Sequence, residues 1–280
     1  MEPQKQVYTD LVRQALAEDL GIGDITSALT IAPDIAGSGR FIAKAAGVIC
    51  GWPVVQEVFR QLNPGVFLDL YQPDGARVEP GTVLAVISGP VRDLLAGERV
   101  SLNFLQHLSG IATSTRELAD LIADYPQARL VDTRKTIPGL RALQKYAVRV
   151  GGGYNHRFNL ADAVLIKDNH LEACGGVKAA VAKVRAAVPH TMKIEVEVES
   201  EAQVKEALDA GVDIIMLDNM SPALMTAMVR LIDRRALVEA SGNLSTETIR
   251  SVAASGVDLI SVGRLTHSVQ ALDISLCLLD

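Results

Sequence analysis

Apolar residues recur at helical spacing through "YTDLVRQALAEDLGIGDITS" and stop at a glycine, which predicts an amphipathic helix followed by a turn. The period then shortens. "GRFIAKAAGVICGW" and "VFLDLYQPDGARVEPGTVLAVISGP" read as short strands separated by Pro-Asp-Gly and Pro-Gly turns, so this first section predicts an α+β domain. The rhythm of strand, "DGARVEPG", strand also belongs to biotinyl and lipoyl carrier domains. Those need a lysine at a hairpin tip, and none lies between Val66 and Pro90. "GERVSLNFLQHLSGIATSTRELADLIAD" then predicts a long helix.

Beyond it the pattern alternates. Candidate strands are "ARLVDTR", "DAVLIKD", "MKIEVEVE", "VDIIMLDN", "ALVEASGN" and "VDLISVGR", with helical segments "SEAQVKEALDAG", "SPALMTAMVRLIDR" and "STETIRSVAASG" between the later ones. Their carboxyl ends, at Glu197, Asp218, Ser241 and Gly263, are separated by steps of 21, 23 and 22 residues. Such a step is what successive βα units produce, and it predicts a parallel α/β barrel.

The chain of 280 residues has 27 Lys and Arg against 33 Asp and Glu, a net charge of −6, which disfavours nucleic acid and anionic membranes as partners. Its three cysteines, Cys50, Cys174 and Cys277, have no CxxC spacing and read as reduced thiols, and no apolar stretch approaches a membrane span. The expectation is a cytoplasmic protein. Against this background one segment stands out: from Arg134 to Lys167 there are seven Lys and Arg and one acid, Asp162. Any anion the protein binds must be met by such a local cluster. Within it, Arg141, Lys145 and Arg149 recur at i, i+4 and i+8 and read as a solvated or partner-facing helix face.

Catalytic groups of such barrels sit at the carboxyl ends of strands. Here those ends carry Arg134 and Lys135, Lys167, Glu197, Asp218, Ser241 with Gly242, and Gly263. "SGN" and "VGR" put glycines where helices are expected to begin, an arrangement suited to phosphate. Strand alternation sends Glu195, Glu197 and Glu199 to one face, either the barrel interior or a solvated edge. No HxxxH or CxxC arrangement points to a zinc site built by the protein alone. His156, beside Arg157, is a candidate ligand contact, whereas His107, His170, His190 and His267 read as structural, His170 and His267 lying near the expected mouth.

"DTRKTIPGLRALQKYAVRVGGGYNHR", "DAVLIKDNH", "EVEVES", "MLDN", "SGN" and "SVGRLTHSVQALD" together resemble the quinolinate phosphoribosyltransferase family, as do "ALAEDLGIGDITS" and "GERVSLNFLQHLSGIAT". The resemblance implies an N-terminal α/β sandwich (1–110, with the tail 268–280 packing back on it) followed by an incomplete α/β barrel (111–267). It implies transfer of the phosphoribosyl group of phosphoribosyl pyrophosphate to quinolinate with decarboxylation, a requirement for Mg²⁺, and a homodimer with shared active sites. Arg134, His156 and Arg157 are then expected to hold the substrate carboxylates, with Arg99 reaching in from the other subunit. Lys135 and Lys167 meet anionic oxygens, Glu197 and Asp218 serve the ribose and Mg²⁺, and Ser241, Gly242, Asn243 and Gly263 take the 5-phosphate. Asn159 and Arg264 depart from the usual pattern without removing any of these.

Two other readings compete. One is a transferase of the same fold acting on nicotinate without decarboxylation, or a paralogue associated with molybdenum transport. The other is a non-catalytic binder of phosphate ligands. The clamp of Arg134, His156 and Arg157 favours a dicarboxylate, and Glu197 and Asp218 at the mouth disfavour a plain anion binder.

Overall fold

The structure, a computed structural model, describes residues 5–242 and 244–279. Its elements along the chain are α1 (Lys5–Leu20), α2 (Ile25–Thr30), β1 (Ala36–Ala43), β2 (Gly47–Val48), α3 (Trp52–Leu62), β3 (Phe67–Leu70), β4 (Arg77–Val78), β5 (Val83–Pro90), α4 (Val91–Leu121), β6 (Arg129–Val131), α5 (Arg141–Val150) and β7 (Val164–Ile166). They continue with α6 (Asp168–Cys174), α7 (Val177–Arg185), β8 (Ile194–Val198), α8 (Glu201–Asp209), β9 (Ile214–Asp218), α9 (Pro222–Ile232), β10 (Leu237–Ser241), α10 (Ile249–Ala254), β11 (Leu259–Ser261), α11 (Arg264–His267) and β12 (Ile274–Leu278). Contacts divide the chain into two compact units. One runs through Arg116 and adds Thr136–Gly152 and Leu265–Asp280; the other is Glu117–Lys135 with Gly153–Arg264. The expected division between 110 and 111 falls inside α4.

The first unit is built on an antiparallel sheet of order β12-β1-β5-β3. β12 lies against β1, with Gly39 opposite Leu278 and Ala43 opposite Ile274. The tail is held along α4 as well: Gln106 Nε2 donates to the Ile274 carbonyl at 2.6 Å, and the Leu272 amide donates to the Gln106 carbonyl at 3.0 Å. A Cβ at Gly110 would stand 2.1 Å from the Gln270 carbonyl oxygen, so only glycine lets the tail pass this close. α3 buries Trp52, Val54, Val55, Val58 and Phe59, and the Trp52 ring meets Phe41 edge-on at 5.5 Å. Burial of each such side chain stabilises by roughly 1.5–3 kcal/mol.

The basic stripe of α5 is not a solvated face throughout. Arg149 is exposed, but Lys145 is only 3% exposed and shares its burial with Leu143, Gln144, Ala147 and Val148. An i, i+4 repeat drifts about 40° per step around a helix, so a stripe that is exposed at one residue turns into the packed face at another.

The second unit carries the six expected strands in one parallel sheet of order β6-β11-β10-β9-β8-β7. Among the described residues β6 and β7 share no ladder, so the barrel is incomplete. Outward positions such as Leu130, Val196, Ile215, Leu217, Ala240 and Ile260 are buried and apolar. Alternation sends the intervening residues inward, and these include Glu195, Met216, Glu239 and Ser261. α8 and α9 begin with ordinary caps: the Ser200 side chain accepts from the Gln203 amide and the Ser221 side chain from the Leu224 amide. Among the described residues no helix is long and apolar enough to cross a membrane.

Candidate active site

The inner face of the second unit opens at the carboxyl ends of its strands into a cavity of about 300 Å³. Thr133, Arg134 and Lys135 follow β6, Lys167 ends β7, and Ser241 and Ser261 end β10 and β11; all line it, with His156 and Arg157 from the loop after "GGGY". Four full cations and a histidine therefore converge on one hollow of an acidic protein. Repulsion acts between them: burial first, and then the charge of Arg134, lowers the pKa of Arg157 from its usual value. An anion bound between them would offset the repulsion and favour the charged guanidinium.

The loop is pinned by a buried acid. Asp132, fully buried at the end of β6, accepts the His156 amide at 2.8 Å on one oxygen and Asn155 Nδ2 at 2.6 Å on the other. Arg157 donates from Nη1 to the Ala163 carbonyl at 3.0 Å. Below, His156 Nε2 lies 3.2 Å from Glu195 Oε2 and 3.5 Å from Glu239 Oε2. Burial opposes the charged ring, but the two carboxylates that face Nε2 outweigh it and shift its pKa up to about 10. Nδ1 accepts the Arg157 amide at 2.7 Å, so in this geometry the ring proton sits on Nε2, facing the two acids, and a second proton would have to displace that bond. Burial likewise pushes the Glu195 carboxyl upward, with His156 pulling it back.

At the mouth, Lys167 Nζ donates to Glu197 Oε2 at 2.8 Å. Asp218 stands beside Ser241 in the β9–β10 register, and its Oδ2 accepts from Asn219 Nδ2 at 2.7 Å. Glu197 and Asp218 are hard oxygen donors of the kind Mg²⁺ takes. Since Lys167 and Asn219 already engage them, any cation is met by their remaining lone pairs or by water. Gly242 has φ +134°, and a Cβ there would stand 2.8 Å from Asn219 Oδ1.

Not every expectation on this loop is met. The helix after β10 begins only at Ile249, so "SGN" is not a helix amino end; Gly242 turns the chain away, and the Ser245 and Thr248 side chains engage each other before helix can start. α11, by contrast, follows Gly263 directly. Asn243 lies outside the described residues. Arg99 is exposed on α4 in the first unit. His170 and His267 have local partners: His170 Nδ1 accepts the Lys167 amide at 3.0 Å and helps to cap α6, and His267 meets Ser268. His107 is engaged by Gln144, and burial lowers its pKa.

Two groups escaped sequence reasoning in their role, Glu195 and Glu239, which are 3% and 0% exposed. The available signal was parity. Glu239 is two residues before Ser241 and Glu195 two before Glu197, so each shares a face with a residue already assigned to the mouth.

An open parallel barrel whose strand ends gather guanidinium and ammonium groups beside two carboxylates defines an enzyme that handles carboxylate and phosphate anions. Comparison with known proteins agrees. The model "Quinolinate phosphoribosyl transferase, N-terminal domain" matches residues 24–109, and its C-terminal counterpart matches residues 111–277. A probable nicotinate-nucleotide pyrophosphorylase (carboxylating) of Bacillus subtilis is 45% identical over 266 residues, 95% of this chain and 91% of that protein. A mitochondrial quinolinate phosphoribosyltransferase (decarboxylating) of Nicotiana tabacum is 41% identical over 286 residues, 95% of this chain and 81% of that protein. The crystal structure of NadC from Streptococcus pyogenes superposes with a TM-score of 0.95 at 44% identity, covering 100% of both chains. The chain belongs to the quinolinate phosphoribosyltransferase family.

Proposed function

We infer that the chain transfers the 5-phosphoribosyl group of phosphoribosyl pyrophosphate to the ring nitrogen of quinolinate, with loss of carbon dioxide, giving nicotinate mononucleotide and pyrophosphate for NAD biosynthesis. The observation that carries this reading is the convergence of Arg134, Lys135, His156, Arg157 and Lys167 on one cavity. Quinolinate has two adjacent carboxylates, and planar guanidinium forks match carboxylates in bidentate fashion.

In this reading Arg134 and Arg157 grip the dianion, Lys135 and Lys167 act as point charges on carboxylate or phosphate oxygens, and Arg99 of a second subunit completes the clamp in a homodimer. The ring nitrogen attacks the ribose C1 carbon as pyrophosphate leaves. Positive charge that develops on the ribose is stabilised by Glu197 and Asp218. Ser241, Gly242, Asn243 and Gly263 hold the 5-phosphate through short polar groups and close backbone approach. Glu197 and Asp218 would hold Mg²⁺, through their remaining lone pairs or water, and the bound ion would supply neutralisation of the departing pyrophosphate. The ring nitrogen, now quaternary, accepts the electron pair that the departing carboxylate leaves on the neighbouring carbon, and that carbon takes a proton. No covalent enzyme intermediate is needed. On this reading the reaction runs in the cytoplasm.

Incubation with quinolinate, phosphoribosyl pyrophosphate and Mg²⁺, with carbon dioxide and nicotinate mononucleotide measured, tests the reading. Product from quinolinate and none from nicotinate is expected. Equal product from nicotinate points to the transferase that does not decarboxylate, and no turnover with either points to a binding protein.

A further inference from the structure

The two acids beneath the cavity need an explanation. Glu195 and Glu239 are buried on adjoining levels of the inner face, and among the described residues Glu195 Oε1 and both Glu239 oxygens have no hydrogen-bond partner, Glu239 Oε2 having only its 3.5 Å contact with His156. Two buried carboxylates with orphaned oxygens cost stability, so a folded chain that carries them uses them for something other than cohesion.

What they touch is the His156 ring, at 3.2 Å and 3.5 Å. The ring has a second grip at Nδ1, which receives the Arg157 amide. The same three residues offer donors within 4.8 Å of one another, a spacing a divalent cation tolerates. Arg134, Lys135, Arg157 and Lys167 crowd the cavity above and repel such an ion, whereas the imidazole already sits between the acids.

Resting on the reading of this cavity as the quinolinate clamp, we propose that Glu195 and Glu239 are positioning residues for it: they fix the His156 ring from below, and the ring fixes the Arg157 peptide. Asp132 holds the same loop by its backbone, so the loop is tied at main chain and side chain together. The Arg157 guanidinium is then presented to the substrate already oriented, and less freedom is lost on binding. Neither acid touches the reacting atoms. Their substitution acts on quinolinate, not on phosphoribosyl pyrophosphate.

The experiment compares wild type with Glu195→Gln and Glu239→Gln, which keep shape and remove charge. Each substrate is varied in turn at saturation of the other. The expected result is a rise of about tenfold or more in KM for quinolinate, with KM for phosphoribosyl pyrophosphate within about twofold of wild type. Nitrogen NMR of the His156 imidazole in the substrate-free enzyme is expected to shift in both variants, a readout that stands whatever the cavity binds. If a Gln variant does not fold, Glu239→Asp, which keeps the charge and withdraws it by one methylene, is expected to give a smaller rise in the same KM. Unchanged KM for quinolinate in folded variants, equal loss for both substrates, or a stoichiometric metal ion in wild type that the variants lack would each overturn the proposal. Wild type that turns over no quinolinate overturns the reading of the cavity instead, and leaves the NMR result to decide the grip on His156.

Discussion

Lys167 and Glu197 form an ion pair of 2.8 Å at the barrel mouth, from the ends of the neighbouring strands β7 and β8. Lys167 is expected to meet anionic oxygens and Glu197 the ribose, so in the free enzyme each neutralises the other and binding separates them. Lys167→Met and Glu197→Gln are each expected to lower kcat/KM by about 10²- to 10³-fold. Because the two act as a unit, the double variant should be little worse than the poorer single one, which a kinetic double-substitution cycle measures. Additive losses would show that the pair is incidental.

Gly242 and Asn219 define the next test. The φ of +134° at Gly242 is open to glycine alone, and a Cβ would press on Asn219 Oδ1, which shares its residue with the Nδ2 group that holds Asp218. Gly242→Ala is expected to cost about 1–3 kcal/mol of stability and to raise KM for phosphoribosyl pyrophosphate more than KM for quinolinate. Thermal unfolding and initial rates check the two parts separately.

In the first unit Glu57 is 2% exposed and accepts from Arg60 Nε at 2.7 Å and Gln61 Nε2 at 2.8 Å. Chiefly through the Arg60 hydrogen bond, its pKa falls from 4.5 to about 2. A carboxyl depressed in the folded state stabilises above its unfolded pKa and loses that contribution as pH falls through the folded one. Glu57→Gln should therefore cost about 1 kcal/mol at pH 7, Arg60 being water-exposed, and the difference should close between about pH 4.5 and pH 2. Denaturant titrations at a series of pH values provide the check; a gap independent of pH would place the effect in packing.

A shared site has a distinctive signature in mixtures. Arg99→Ala and Arg157→Ala proteins are each expected to be inactive alone and to regain activity when mixed, up to about a quarter of wild type if subunits redistribute at random. Absence of recovery, once subunit exchange is demonstrated, would confine Arg99 to some other duty.

The barrel was legible because its strands obey two periods at once: apolar residues at outward positions, and a polar residue at each carboxyl end. Arg134, Lys135, Lys167 and Ser241 could therefore be assigned to one cavity by counting along strands. Glu239 was harder, since a lone Glu within "ALVEAS" has the same appearance whether it faces water or a ring across the barrel. Lys145 was misread because a helical stripe does not state which neighbour will cover it. The late start of α10 was hidden for a local reason: the Thr248 hydroxyl takes the Ser245 amide and carbonyl and holds the turn before the helix.

The pairing of β12 with β1 has a consequence for how the protein is made. During translation β1 emerges with one edge bare, and the strand that covers it follows only after the second unit has been made. Through that interval the nascent chain displays an unpaired edge of the kind that recruits strands from other chains. Chains stalled or cleaved just before Ile274 would carry that edge permanently, and for them self-association in the cell, more than any loss of catalysis, is the failure to look for.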